Sequence, residues 1–327
     1  MSALEIRPLR PEDAPQVLRS FNEVFAAGAL DRPPRSLESW RWAYEHNPAG
    51  RRAFVALDGT RVVAHFAALP VRTLLAGRAV VFAQGVDSFA LPSHRGPAGG
   101  KAFVRTAQAF FEAYGGSRDA LYYGWPSERA WRVGQRDLGY EAVRTQMALV
   151  RPLAATSAQE PAEVERLTAF DHQALWLFER CAAGFAAAAV RDAGYLNWRF
   201  LAHPEVRYEL LGVRDQGGIL RGLAIWRMGT GFFAGLALVV DWLVPPDGDE
   251  VGELLLRALA ARARRAGAGA LAAWLPEWSP WFGRFQEGGF LVHPTPWRLA
   301  LSSFTRRIDG AWMRDGWWNT LADSDLV

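Results

Sequence analysis

One seven-residue pattern, opening on Trp and closing on Pro, recurs in this chain, and that recurrence constrains the fold more than any other feature. Trp42-Ala43-Tyr44-Glu45-His46-Asn47-Pro48 is echoed by Trp198-Arg199-Phe200-Leu201-Ala202-His203-Pro204, 198 − 42 = 156 residues later. Asp87, in an apolar run, is matched by Asp241 at 241 − 87 = 154. Pro126 and Pro276 end similar runs, and Gly139-Tyr140 matches Gly289-Phe290, both at an offset of 150 (276 − 126 and 289 − 139). Landmarks in one order at a nearly constant offset predict two copies of one fold. A chain of 327 residues has room for them. The expected boundaries are 1–152, 153–304 and a tail at 305–327.

Within the first copy the stretch from Val86 to Tyr114 reads strand, glycine turn, helix. The apolar run Val86 to Leu91 breaks at Pro92, and Arg95-Gly96-Pro97-Ala98-Gly99-Gly100 turns into Lys101. Phe103, Ala107, Phe110, Phe111 and Tyr114 then fall on one helical face. The first amides of such a helix lack carbonyl partners, and glycine admits a ligand close to the main chain, which suits a phosphate-bearing ligand. A P-loop would need Ser or Thr after Lys101, where Ala102 stands, and a dinucleotide fingerprint needs other glycine spacing. The turn resembles the pyrophosphate loop of the GNAT superfamily of acyl-CoA N-acyltransferases, Q/R-x-x-G-x-G/A, with Ala98 where the first motif glycine usually stands.

The order of elements agrees with that resemblance. A short strand at Ile6 precedes a helix bearing Val17, Leu18, Phe21, Val24 and Phe25, and a second helix bearing Trp40, Trp42 and Tyr44 ends before Pro48. Hairpins turn at Asp58-Gly59 and Ala76-Gly77. After the glycine-turn helix come a buried strand at 120–125, a helix from Glu128 to Leu138, and a strand near Met147 to Val150. The expected class is α/β (α+β), two GNAT-like domains in tandem, each a mixed, mostly antiparallel sheet flanked by helices. The second copy has Pro245-Pro246-Asp247-Gly248-Asp249-Glu250 where the glycine turn should be. Its carboxylates complement the helix dipole themselves and would repel a pyrophosphate, so this copy is expected to be a degenerate structural partner. With its aromatic and acidic tail, the chain resembles tandem-GNAT proteins of bacteria.

The resemblance implies an acyl-CoA, acetyl-CoA or a longer one, as co-substrate. Phe89, Ala90 and Leu91 would meet the pantetheine arm, and Arg95, Gly96, Ala98, Gly99, Gly100 and Lys101 the pyrophosphate. Thioester aminolysis needs a nucleophile stripped of its proton and a proton for the departing thiolate. Asp87, among apolar neighbours that would raise a carboxyl pKa, is the candidate general base or water anchor, with a structural partnership to an arginine as the alternative. The family's thiolate-protonating tyrosine falls on Gly134 in Ser127-Glu128-Arg129-Ala130-Trp131-Arg132-Val133-Gly134. Tyr123 is the candidate substitute, with Tyr122 and the tail carboxylates as alternatives.

Composition narrows the rest. One cysteine, Cys181, excludes an internal disulfide framework and favours a reducing cytoplasm. A net charge of +3 does not call for a nucleic-acid partner, and Gly and Asp residues break the longest apolar run, so no membrane partner is expected. The six histidines lack metal-ligand spacing, and no metal is expected. The expected partner is a small-molecule or peptide amine, with a homodimer as a further possibility. Three activities follow: an N-acyltransferase, a non-catalytic acyl-CoA- or partner-binding scaffold, and a cell-wall type aminoacyl transferase.

Overall fold

The structure, a computed structural model, describes residues 4–26, 34–96, 101–153, 159–305 and 308–326. The chain forms two compact units that do not follow boundaries at 152 and 304. Unit 1 gathers Met1–Thr73, Ala79–Arg144 and Trp297–Met313; unit 2 gathers Leu74–Arg78, Thr145–Pro296 and Arg314–Val327. Each unit therefore takes in a stretch from the other half of the sequence.

In chain order the first half has β1 (Glu5–Pro8), α1 (Ala14–Ala26), α2 (Leu37–Tyr44), β2 (Arg52–Asp58), β3 (Arg61–Leu75), β4 (Arg78–Ala90), α3 (Ala102–Tyr114), β5 (Leu121–Gly124), α4 (Glu128–Asp137) and β6 (Glu141–Pro152). The second has β7 (Val164–Arg166), α5 (Gln173–Ala182), β8 (Ala187–Ala189), α6 (Ala193–Leu196), β9 (Glu209–Arg214), β10 (Leu220–Met228), β11 (Leu236–Leu243), α7 (Asp249–Arg265), β12 (Ala270–Ala273), α8 (Pro280–Glu287), β13 (Leu291–Ser303), α9 (Gly310–Gly316) and β14 (Trp317–Trp318). The series strand, strand, strand, helix, strand, helix, strand recurs. Unit 1 orders its strands β1-β2-β3-β4-β5-β13, and unit 2 orders its own β6-β12-β11-β10-β9-β7. In unit 1 β4 and β5 run parallel, as β11 and β12 do in unit 2, and each pair is crossed over by a helix.

The α/β, largely antiparallel architecture is as expected, but two details differ. Strand β3 is continuous through Pro70, which lies beyond the last pair with β2, Arg52 with Ala68. Strand β4 likewise runs unbroken from the hairpin into the segment expected as a separate strand. Tight hairpin geometry at Ala76 (φ 47°) and Gly77 (φ 76°) joins β3 to β4.

The core of unit 1 lies on the α3 face, where Phe66, Ala107, Phe110 and Tyr122 are buried with Phe103, Phe111 and Tyr114 packed around them. That is the face read from the period of α3. In unit 2 the matching layer joins α7 residues Leu255, Ala258 and Leu259 to Trp242, Trp281 and Phe285. The tail is sealed as well: Trp317, Trp318, Leu321 and Ala322 are each at most 3% exposed.

Candidate active site

The site of unit 1 is built where β4 and β5 part. Their parallel register covers only Phe82–Gln84 against Leu121–Tyr123. Gly85 and Gly124 still lie close, since a β-carbon on Gly124 would sit 3.5 Å from the Gly85 carbonyl oxygen. Beyond that point β5 ends and β4 runs on to Ala90. The β4 residues past Gln84 have no partner on β5, which leaves their main-chain groups on that side to other partners.

Just past the fork β4 is kinked by Asp87, a non-glycine residue at φ 50°. Left-handed backbone at such a residue costs on the order of 1 kcal/mol and needs support from its surroundings. The support is dense. Arg35 Nη1 donates to Asp87 Oδ1 at 2.9 Å, Arg35 Nη2 lies 2.9 Å from Oδ2, and the Tyr44 hydroxyl donates to Oδ2 at 2.8 Å. His65 Nδ1 is 2.9 Å from the Asp87 carbonyl oxygen. A carbonyl only accepts, so Nδ1 carries the proton and Nε2 bears the lone pair. Burial holds the His65 pKa below its ordinary value, against the pull of the Asp87 carbonyl, so the ring is neutral. The apolar surroundings expected for Asp87 are thus replaced by a guanidinium, because α2 and the residues before it fold back over β4.

Unit 2 repeats this device. Arg191 stands 191 − 35 = 156 residues after Arg35 and donates through Nε to Asp241 Oδ2 at 2.8 Å. Ser36 caps α2 and Asp192, again 156 residues later (192 − 36), caps α6. Asn47 and His203, the residues before the two landmark prolines, both accept amide hydrogen bonds from the turn that follows. The register also slips by one residue opposite Asp241, where Ile225 pairs Asp241 and Trp226 pairs Val239. The Arg–Asp pair therefore belongs to the fold. In unit 2 it is sealed by the tail, where Arg191 donates through Nη1 to Asp323 Oδ1 at 3.0 Å and through Nη2 to Oδ2 at 2.8 Å, the side chains of Arg191, Asp241 and Asp323 being 0% exposed.

Phe89, Ala90 and Leu91 follow the kink and are buried, at 3%, 5% and 1% exposure, with the Leu91 amide donating to the Val63 carbonyl. The Arg95 guanidinium donates through Nε to the Ala90 carbonyl at 2.8 Å. Burial, then the nearby charge of Arg129, lowers its pKa. Gly96 is at φ 66°, and its carbonyl accepts from the Lys101 amide at 2.9 Å. Lys101 itself is left-handed at φ 51° and gives α3 no side-chain cap. The expected contacts Ala98, Gly99 and Gly100 lie outside the described residues. What remains is a helix start with cationic Arg95, Lys101 and Arg129 near it, a donor set that fits a diphosphate.

The matching place in unit 2 is filled by protein. Trp281 of α8 donates from Nε1 to the Val244 carbonyl at 2.7 Å, at the end of β11. Its ring lies on Gly252, where a β-carbon would sit 2.1 Å away. Arg284 donates to the Pro246 carbonyl at 2.7 Å and pairs with Asp249 at 2.5 Å. The acidic loop accounts for part of the difference between the copies, and this indole plug, which sequence reading missed, accounts for the rest.

Tyr123 and Tyr122 point to opposite faces of β5, as strand alternation requires. Tyr123 is 1% exposed, beside Phe82 and Trp125. Tyr122 stacks on Phe66 in the α3-side core. Gly134 is in α4 as expected, but its missing side chain is not a void: a β-carbon there would lie 2.1 Å from the Tyr140 ring. Among the described residues no cluster of metal-binding side chains occurs, and no helix is long and apolar enough to cross a membrane.

Residues 5–143 match the family model of the acetyltransferase (GNAT) domain. No curated protein matches the chain. Among solved structures, a probable N-acyltransferase from Enterococcus faecalis superposes with a TM-score of 0.62 at 15% identity, covering 91% of this chain and 72% of that one. A GCN5-related N-acetyltransferase from Kribbella flavida gives 0.61 at 20% identity, covering 92% and 71%. An N-myristoyltransferase from Saccharomyces cerevisiae with bound myristoyl-CoA gives 0.59 at 14% identity, covering 92% and 82%. At these identities the likeness concerns the fold.

Proposed function

From the premise that residues 5–143 form a GNAT acetyltransferase domain, we propose that this protein is an acyl-CoA-dependent N-acyltransferase acting on a primary amine. The observation that carries the reading is the fork of β4 and β5 in unit 1, with a kinked strand on one side and an uncapped, cation-flanked helix start beyond it. Acetyl-CoA or a longer acyl-CoA would run along Phe89, Ala90 and Leu91, with its diphosphate at Arg95, Lys101 and Arg129. Bound there, it supplies an activated thioester carbonyl.

The chain contributes orientation and charge. Arg35 and Tyr44 hold Asp87, and through it the bend of the strand that leads into Phe89, Ala90 and Leu91. Asp87 is assigned to that anchoring role. Unit 2, whose corresponding entrance is closed by Trp281 and Arg284, serves as a scaffold. The acceptor is a small-molecule or peptide amine.

A second reading, a binding scaffold without turnover, is favoured by the lack of a hydroxyl on α4 at Gly134. Titration calorimetry with acetyl-CoA and longer acyl-CoAs, followed by thiol release over an amine library, separates the two. Binding with thiol release supports the transferase, and binding without it supports the scaffold. No heat with any acyl-CoA refutes both.

A further inference from the structure

Aminolysis of a thioester leaves a thiolate that needs a proton, and α4 has only Trp131 and Gly134 at its buried positions. The space over Gly134 holds the ring of Tyr140, with Cδ2 and Cγ 2.1 and 2.5 Å from where a β-carbon would be. That ring stacks on Tyr122, centroids 5.9 Å apart and planes at 30°, and the two hydroxyls are hydrogen-bonded. A second glycine clears the other end. The Tyr122 hydroxyl occupies the position of a β-carbon on Gly85, at 2.1 Å, and Gly85 lies at the point where β4 and β5 part. Any side chain at 85 or 134 would displace one of the tyrosines.

We infer that Tyr122, backed by Tyr140, is the proton donor to the departing sulfur, a hydroxyl pair delivered from β5 and the residue before β6 in place of one on α4. This rests on the transferase reading above. The amine lone pair forms the C–N bond to the thioester carbonyl carbon, and the C–S bond breaks with its electron pair on sulfur. The Tyr122 proton moves to sulfur and the Tyr140 proton replaces it on Tyr122. The proton shed by the acylated nitrogen passes to solvent, and Tyr140 recovers one before the next turnover. Amine and thioester thus give amide and thiol with no net proton change. Burial, then Tyr122, pushes the Tyr140 pKa well above the ordinary tyrosine value, so Tyr140 keeps its proton until a strong base forms beside it.

Tyr122→Phe and Tyr140→Phe keep both rings and their stacking, so the core is preserved. For each variant, acyl-CoA affinity is measured by calorimetry and kcat by thiol release across pH. The expected result is affinity within about twofold of the native protein, with kcat lower by roughly 100-fold for Tyr122→Phe and about 10-fold for Tyr140→Phe. Native kcat in Tyr122→Phe overturns the inference, as does a loss confined to acyl-CoA affinity. Native protein that binds acyl-CoA but frees no thiol with any amine also overturns it while leaving the cofactor cleft intact. Native protein that does not bind acyl-CoA removes the transferase reading and this inference together.

Discussion

Asp323→Ala tests how the tail of unit 2 is held. The substitution removes hydrogen bonds of 3.0 and 2.8 Å to a guanidinium that is 0% exposed, and a third of 2.9 Å from the Thr320 amide. Deleting one partner of a buried ion pair costs about 3–5 kcal/mol, since the remaining charge stays out of water. Asp241 still holds the other edge of Arg191 at 2.8 Å, so the lower end, about 3 kcal/mol, applies here. For a unit of this size each kcal/mol shifts the melting temperature by about 2–4 °C, so a fall of about 6–12 °C is expected. Thermal unfolding followed by tryptophan fluorescence reads it, with Trp317 and Trp318 buried beside the site. The corresponding pair in unit 1 is 24% and 11% exposed, and Asp87→Asn should cost about 1 kcal/mol. A melting temperature for Asp323→Ala within about 2 °C of the native protein, or equal losses for the two substitutions, would refute the claim that the tail acts as the buried counter-charge.

Other substitutions probe the two entrances and the strand kink. Trp281→Ala should destabilise unit 2 by about 3–5 kcal/mol in urea unfolding, through the cavity left on Trp242 and Phe285, without creating a second acyl-CoA site by calorimetry. Gly134→Ala should cost about 1–3 kcal/mol by overpacking Tyr140, also read in urea. Arg95→Glu and Lys101→Glu should each weaken acyl-CoA binding, with the loss shrinking as salt rises. His65 has a folded pKa below its unfolded value, so its contribution is present above about pH 6.5 and is lost as pH falls through the folded value, with a slope of at most about 1.4 kcal/mol per pH unit. His65→Asn should flatten the decline of melting temperature between pH 7.5 and 5.

Local pattern carried much of the architecture. The period of Phe103, Ala107, Phe110, Phe111 and Tyr114 identifies the buried face of α3, and the hairpin at Ala76-Gly77 and the helix ending before Pro48 are where turn chemistry places them. These features depend on neighbours within a few residues, which a sequence displays directly. The offset of 156 even contained the partner of Asp87, since Arg35 and Arg191 share it, yet nothing local says that either arginine reaches its aspartate. A signal that could have found the pair was the repetition of an arginine before a capped helix in both copies.

By itself the sequence determined the periodicities, the hairpin turns and the duplicated order of elements, because each is an effect of short-range sterics and burial. Only the tertiary structure decided that Arg35 and Tyr44 hold Asp87, that Tyr140 fills the space at Gly134, that Trp281 closes the second entrance, and that Trp297–Met313 belongs to unit 1. Those choices join residues tens to hundreds of positions apart. They are selected by which closed packing leaves no cavity and no uncompensated buried charge, a condition of the whole chain that no stretch of it displays.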